Sequence, residues 1–183
     1  MTCFLTIGRV LYDKGFNELI ECSSYFKSRN QDVEFQWLGP IDTGYSQFIS
    51  EDAVNLYHER NIIKYLGSHL DVRCYIKDAD CIVLPSYHEG MSRVLMEGIA
   101  MGKPIITSNI PGCREAVING KNGFLCEPKN SQSLIDAVNK FLSLTINERK
   151  MFGESSRELA ESRFDIKHVI SLYDNVVSEM LIN

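Results

Sequence analysis

An unbroken apolar run, Cys81-Ile82-Val83-Leu84-Pro85, leads straight into Ser86-Tyr87-His88-Glu89-Gly90-Met91-Ser92 and then into Val94–Met101, where apolar residues recur at helical spacing. A run without a polar face reads as a strand covered on both sides. The order is therefore strand, short polar loop with a glycine, helix. In that geometry several free backbone N–H groups point at one spot, at the positive end of the helix dipole. A phosphate or another anionic oxygen is the natural guest there. Two carboxylates frame the loop, Glu89 at its start and Glu97 further on. With a helix starting near Ser92, Glu97 lies between one and two turns in and leans back toward the N-terminus. Both acids can then face one ligand.

The rest of the chain repeats the alternation. Strand-like runs are Phe4–Ile7, Val33–Leu38, Ile62–Leu66, Cys81–Leu84, Pro104–Thr107 and Gly123–Cys126. Helical periodicity fills most of the gaps. Lys14–Ser28 puts Phe16, Leu19, Ile20, Ser23 and Phe26 on one face, and Val72–Ala79, Val94–Met101 and Cys113–Ile118 follow. Ser131–Leu144, Asn147–Arg163 and Ile166–Leu181 close the chain, with Ser131, Asn147 and Asp165 as expected caps. The stretch from Ile41 to Arg60 reads as a loop followed by a helix around Asp52–Glu59. Strands separated by helices predict an α/β fold, a doubly wound parallel sheet of about six strands with C-terminal helices.

In such a sheet ligands bind outside the carboxyl ends of the strands. That rule collects Gly8, Arg9, Lys14 and Gly15 after the first strand, and Gly67 and Ser68 after the third. It adds the Glu89–Glu97 loop after the fourth, and Ser108, Asn109, Pro111 and Gly112 after the fifth. Arg9 can fork onto phosphate oxygens and Lys14 can add a point charge. Asp78-Ala79-Asp80 has the spacing of a D-x-D metal motif but falls before the fourth strand, at the wrong edge. No metal site is expected. His88 stands beside Glu89, as a loop histidine or a substrate contact. Asn119-Gly120-Lys121-Asn122-Gly123 is turn chemistry. Neither G-x-G-x-x-G after the first strand nor G-x-x-x-x-G-K-[ST] is present, which disfavours a nicotinamide dinucleotide fold.

The 183 residues suit a single domain spanning 1–183, and 44% hydrophobic and 23% charged residues are those of a globular chain. No apolar run approaches the roughly 20 residues of a membrane span. The net charge of −5 argues against a nucleic-acid partner. Six scattered cysteines without a C-x-x-C pair read as reduced core residues of a cytoplasmic protein. The chain starts on a strand at once, with no basic leader, and the expectation is a fragment of a longer protein.

Taken together these residues resemble the carboxyl-terminal, donor-binding domain of GT-B-fold glycosyltransferases of family 4 (group 1 type). The resemblance runs over essentially the whole chain. It is carried by Gly8-Arg9 with Lys14-Gly15, by Ile63-Lys64-Tyr65-Leu66-Gly67, and by Ala79 through Ser86. It continues with Glu89-Gly90 through Glu97, Gly102-Lys103-Pro104-Ile105-Ile106, Pro111-Gly112-Cys113-Arg114-Glu115 and Asn122-Gly123-Phe124-Leu125. A lone E-x7-E is weak; the ordered set is specific. Ser92 stands where the family commonly has glycine.

The resemblance implies a Rossmann-like domain serving a retaining, metal-independent transfer of a sugar from a nucleotide-sugar, with UDP the expected carrier. It needs no cofactor. By position, Arg9 and Lys14 would neutralise the diphosphate, and Glu89 with the amides of Gly90, Met91 and Ser92 would hold the sugar. Arg93 and Val94 would offer amides to the diphosphate, and Glu97 would bind the ribose. Gly8 would border the site, and Tyr65-Leu66-Gly67 would flank the base. The implied setting is bacterial surface-polysaccharide or lipid-linked glycan assembly, in the cytoplasm or at the inner face of the membrane. The implied partners are a membrane-lipid-linked acceptor and an absent amino-terminal acceptor domain, without which the isolated chain is expected to be inactive. Two other readings stay open: a non-catalytic nucleotide-sugar-binding module and a GT-B-fold nucleotide-sugar epimerase.

Overall fold

The computed structural model describes residues 1–46 and 48–182, except for the side chains of Val169, Glu179, Leu181 and Ile182. Its strands are β1 (Thr2–Ile7), β2 (Val33–Leu38), β3 (Lys64–Tyr65), β4 (Cys81–Leu84), β5 (Ile105–Ser108) and β6 (Gly123–Cys126). Its helices are α1 (Phe16–Ser28), α2 (Glu51–Glu59), α3 (Arg73–Asp78), α4 (Arg93–Ala100), α5 (Ser131–Leu142), α6 (Ile146–Arg163) and α7 (Ile166–Ile182). All six strands run parallel in one sheet, ordered β3-β2-β1-β4-β5-β6. The order reverses between β1 and β4, the crevice where open α/β sheets bind ligands.

Strand alternation explains the two winding layers. Successive side chains leave opposite faces of the sheet. Phe4, Phe35, Trp37, Val83 and Ile106 join Phe16, Leu19 and Phe26 of α1 and Leu134, Val138 and Phe141 of α5 in one core. Leu5, Leu38, Ile82, Leu84 and Ile105 join Ile76 of α3, Leu95 and Ile99 of α4 and Leu159 of α6 in the other. Phe4 stacks on Phe35 at 4.9 Å between ring centroids and meets Phe141 edge-on at 5.6 Å.

Several sequence expectations shift. The third strand shrinks to Lys64–Tyr65, because the amides of Ile62 and Ile63 turn back to the Tyr57 carbonyl and leave the ladder. Cys113–Ile118 is not a helix but a 3-10 turn at Arg114–Ala116. The buried Asn122 side chain competes for its backbone, accepting from the Ile118 amide at 2.6 Å and donating to the Ala116 carbonyl at 3.0 Å. Lys14 belongs to a separate 3-10 turn, Tyr12–Lys14, and Gly15 breaks the path into α1. The caps of α5 and α6 are Asn130 and Thr145, the latter in a reciprocal capping box with Glu148. Asp165 does receive the Lys167 amide, at 2.9 Å. In α7, Ile166, Leu172, Tyr173, Val176 and Met180 are exposed. No described helix is long and apolar enough to cross a membrane.

All six cysteines are free thiols, four of them buried. Burial pushes Cys3 and Cys113 up from 9.0 to about 11 and Cys126 to about 12. The unfolded chain ionises them near 9, so their protonated state favours the fold below that pH and the advantage is lost as pH rises from 9 toward 12. Urea unfolding is therefore expected to show constant stability between pH 7 and 8.5 and a fall above 9.5. A midpoint that stays flat to pH 11 contradicts this account.

Candidate functional site at the carboxyl edge of β1 and β4

Three rungs join the segment after β1 to the loop after β4. The Lys14 ammonium donates to Glu89 Oε1 at 2.7 Å, with both side chains more than four-fifths buried. The Tyr87 amide donates to the Asp13 carbonyl at 2.8 Å. The Tyr87 hydroxyl lies 2.7 and 2.8 Å from the two carboxylate oxygens of Glu18. Ser86 Oγ also lies 3.1 Å from the Asp13 carbonyl. Gly15 packs directly against the Pro85 carbonyl, which brings these segments together.

The loop is closed from the far side by the segment after β5. Gly112, at φ +85°, lies so close that a Cβ there would come within 2.0 Å of the Gly90 carbonyl oxygen and 2.5 Å of that of Glu89. Its carbonyl accepts the Ser92 amide at 3.0 Å, and its own amide donates to Glu115 at 2.8 Å. That bond corrects the expectation for Ser92. Its amide is committed to Gly112 and its side chain is buried, whereas Gly90 and Met91 are exposed. Ser92 makes no side-chain cap to α4, so the first-turn amides of Arg93, Val94 and Leu95 have no intrahelical acceptor and face the carboxyl edge.

Glu97 is the fifth residue of α4. Its apolar neighbours Leu95 and Ile99 turn inward while Glu97, about 200° from Leu95, turns out. Its side chain is 42% exposed and pairs loosely with Arg93 at 3.7 Å. It borders a groove of about 530 Å³ with Leu70, Val72, Arg73, Ile76 and Met101. Tyr65 and Gly67 brace a neighbouring turn. The Tyr65 hydroxyl donates to the Gly39 carbonyl at 2.9 Å and the Gly67 carbonyl accepts the Gly39 amide at 2.8 Å, bracing the turn that abuts Gly8. Gly8 is held by its amide on Leu38 and by Trp37 Nε1 on its carbonyl, each at 2.9 Å.

Arg9 follows, half exposed, and is not idle. It donates to Asp42 at 2.9 Å and its guanidinium sits 4.9 Å from the Tyr45 ring centroid. Asp42, Tyr45, Glu18 and Asp13 were not singled out from the sequence. The first two lie in a segment without periodicity, and the others look like ordinary positions of a first helical turn. Asp80, of the D-x-D triplet, accepts the Cys3 amide at 2.7 Å at the amino edge. A hollow of about 650 Å³ also lies at that edge, but its Lys64 and Glu34 already pair with each other.

A family model for glycosyl transferases group 1 matches residues 2–159. The chain belongs to the group 1 glycosyl transferases. It is similar to the capsular polysaccharide biosynthesis glycosyltransferase CapM of Staphylococcus aureus, 26% identical over 178 residues. It is also similar to an N,N'-diacetylbacillosaminyl-diphospho-undecaprenol alpha-1,3-N-acetylgalactosaminyltransferase of Campylobacter jejuni, 28% identical over 183 residues. These alignments take in 94% and 96% of the chain but only 46% and 45% of the relatives, so the chain spans about half the length of the curated relatives it matches. The structure of Anabaena Alr3699/HepE in complex with UDP superposes with a TM-score of 0.81 at 24% identity, covering 97% of this chain and 48% of that one. The group 1 domain thus has the α/β, Rossmann-like sheet of GT-B glycosyltransferase structures.

Proposed function

We propose that the chain is the donor-binding domain of a family 4, retaining, metal-independent glycosyltransferase that takes a sugar from UDP. The observation that carries this reading is the Lys14–Glu89 contact at the open N-terminus of α4, where a cation, an acid and unpaired amides meet. Breaking a glycosyl–phosphate bond leaves an oxocarbenium-like carbon and a diphosphate with added negative charge. Lys14, Arg9 and the Arg93 and Val94 amides stabilise that charge more in the transition state than in the ground state. Glu89, with the Gly90 and Met91 amides, holds the sugar, and Glu97 takes the ribose hydroxyls in its groove. Arg9 exchanges the Asp42 carboxylate for a phosphate oxygen when the donor arrives. The acceptor oxygen bonds to the anomeric carbon on the face the diphosphate leaves, and its proton passes to the departing phosphate.

UDP is favoured by the likeness to a structure bound to UDP. A glycan or lipid-linked acceptor at the inner face of a membrane is favoured by the Campylobacter relative, whose name includes diphospho-undecaprenol. The acceptor belongs to a second, amino-terminal domain, and the exposed apolar side chains of α7 suit packing against it. The chain alone then binds nucleotide and does not turn over.

Calorimetric titration of UDP, GDP and ADP into the chain tests this reading. UDP is expected to bind tightest. Arg9→Ala and Glu97→Ala are each expected to weaken it about tenfold, the loss of one charge-assisted hydrogen bond. Unchanged UDP affinity in both variants would remove the site.

A further inference from the structure

We propose that Tyr87 is a positioning residue that sets Glu89 against Lys14 by way of the buried Glu18; the inference rests on the function proposed above. Glu18 is only 8% exposed, yet it is a carboxylate. Such a group needs a donor, and the Tyr87 hydroxyl lies against both of its oxygens. Glu18 stands in the first turn of α1, where the helix dipole also favours an anion. The ring of Tyr87 is held in turn from the loop after β6, with the Lys129 ammonium 5.0 Å from its centroid.

The arrangement has a consequence for the site. Lys14 and Glu18 are four residues apart on one segment; Tyr87 and Glu89 are two apart on the facing loop. Lys14–Glu89 and Glu18–Tyr87 are therefore two side-chain rungs between the same two strips of chain, alongside the Asp13–Tyr87 backbone bond. The two side-chain rungs differ in what they face. Glu18 is sealed inside, whereas Lys14 and Glu89 sit at the edge where the sugar and diphosphate are placed. Loosening the sealed rung frees the Tyr87 side chain two residues before Glu89 and leaves the loop on the Asp13 carbonyl, the Lys14–Glu89 pair and the Gly112 contact. Glu89 then drifts more easily from Lys14, while Glu97, fixed on α4, does not.

That difference gives the test. In the full chain, Tyr87→Phe is expected to lower UDP-glucose affinity about tenfold and leave UDP affinity within about twofold. Glu18→Gln keeps an acceptor for the hydroxyl and is expected to bind both like the parent. Tyr87→Phe/Glu18→Leu strands no carboxylate, folds, and shows the same selective loss as Tyr87→Phe. Amide hydrogen exchange at Tyr87, whose N–H is held by the Asp13 carbonyl, is expected to be about tenfold faster in the double variant, with α4 unchanged. Equal losses for both ligands, no loss, or a Glu18→Gln variant as impaired as Tyr87→Phe overturns the proposal. A parent chain that binds neither ligand sinks the proposed function instead. Loop exchange then decides for Tyr87, and unchanged exchange overturns its role.

Discussion

If Lys14 meets the leaving diphosphate as proposed, replacing it by alanine is expected to slow sugar transfer about 100- to 1,000-fold in the full-length protein, the cost of one preorganised group at a developing oxyanion, about 2.7–4 kcal/mol. The geometry argues for the upper part of that range. Lys14 and Glu89 are in contact at 2.7 Å and mostly screened from water, so removing the cation also leaves the Glu89 carboxylate unbalanced beside the departing diphosphate. The loss falls on the bond-breaking step, so kcat drops more than the donor KM rises. Lys14→Ala/Glu89→Gln removes both charges and should recover part of the UDP affinity while transfer stays slow, because the diphosphate charge remains unmet. Steady-state rates at saturating donor, set beside UDP titration of the same variants, read both effects. A Lys14→Ala enzyme with kcat within about threefold of the parent would mean that this ammonium does not meet the leaving group.

The sheet was legible because its strands are short and mostly apolar, continuously so in β4 and by alternation in β2. Those patterns located β2, β4 and β6 to the residue and β5 to within one. It failed at β3, although the other edge strand, β6, was read correctly. With only β2 to pair against, Ile62 and Ile63 serve the turn after α2 instead of the ladder. The Cys113–Ile118 segment kept its apolar spacing, but the side chain of Asn122, several residues away in sequence, captured its hydrogen bonds. Periodicity does not register such competition.

The site was legible as a set of residue types at one edge, not as a network. Strand order brings Lys14 to Glu89, and the sequence contains the residues without that order. The groups that hold them, Glu18, Asp13, Gly39 and Gly112, act through bonds that span 26 or more positions or through backbone contact. Arg9 carries the clearest lesson. Its charge singles it out in the sequence, whereas its partner in the structure, Asp42, lies in a loop that no pattern marks.

Gly112→Ala is expected to be strongly disruptive for a single-methyl change. A Cβ at φ +85° costs about 1–2 kcal/mol in backbone strain alone. Here it also meets two carbonyl oxygens of the β4–α4 loop, at 2.0 and 2.5 Å, and backbone atoms cannot swing aside as a side-chain tip does. Adding an overpacking cost, the expected destabilisation is about 2–5 kcal/mol, read as a shift in the urea midpoint. Gly120→Ala is the internal control. It has φ +78° and nothing within 4 Å of the new methyl, so it carries the strain without the collision, about 1–2 kcal/mol. The excess of Gly112 over Gly120 isolates the contact between the two loops. That contact also sets the first turn of α4, since the Gly112 carbonyl receives the Ser92 amide. UDP affinity should therefore fall at least about tenfold in the folded fraction of Gly112→Ala and stay unchanged in Gly120→Ala. Equal destabilisation by the two alanines, with UDP binding intact in both, would show that the loop after β5 does not shape the site.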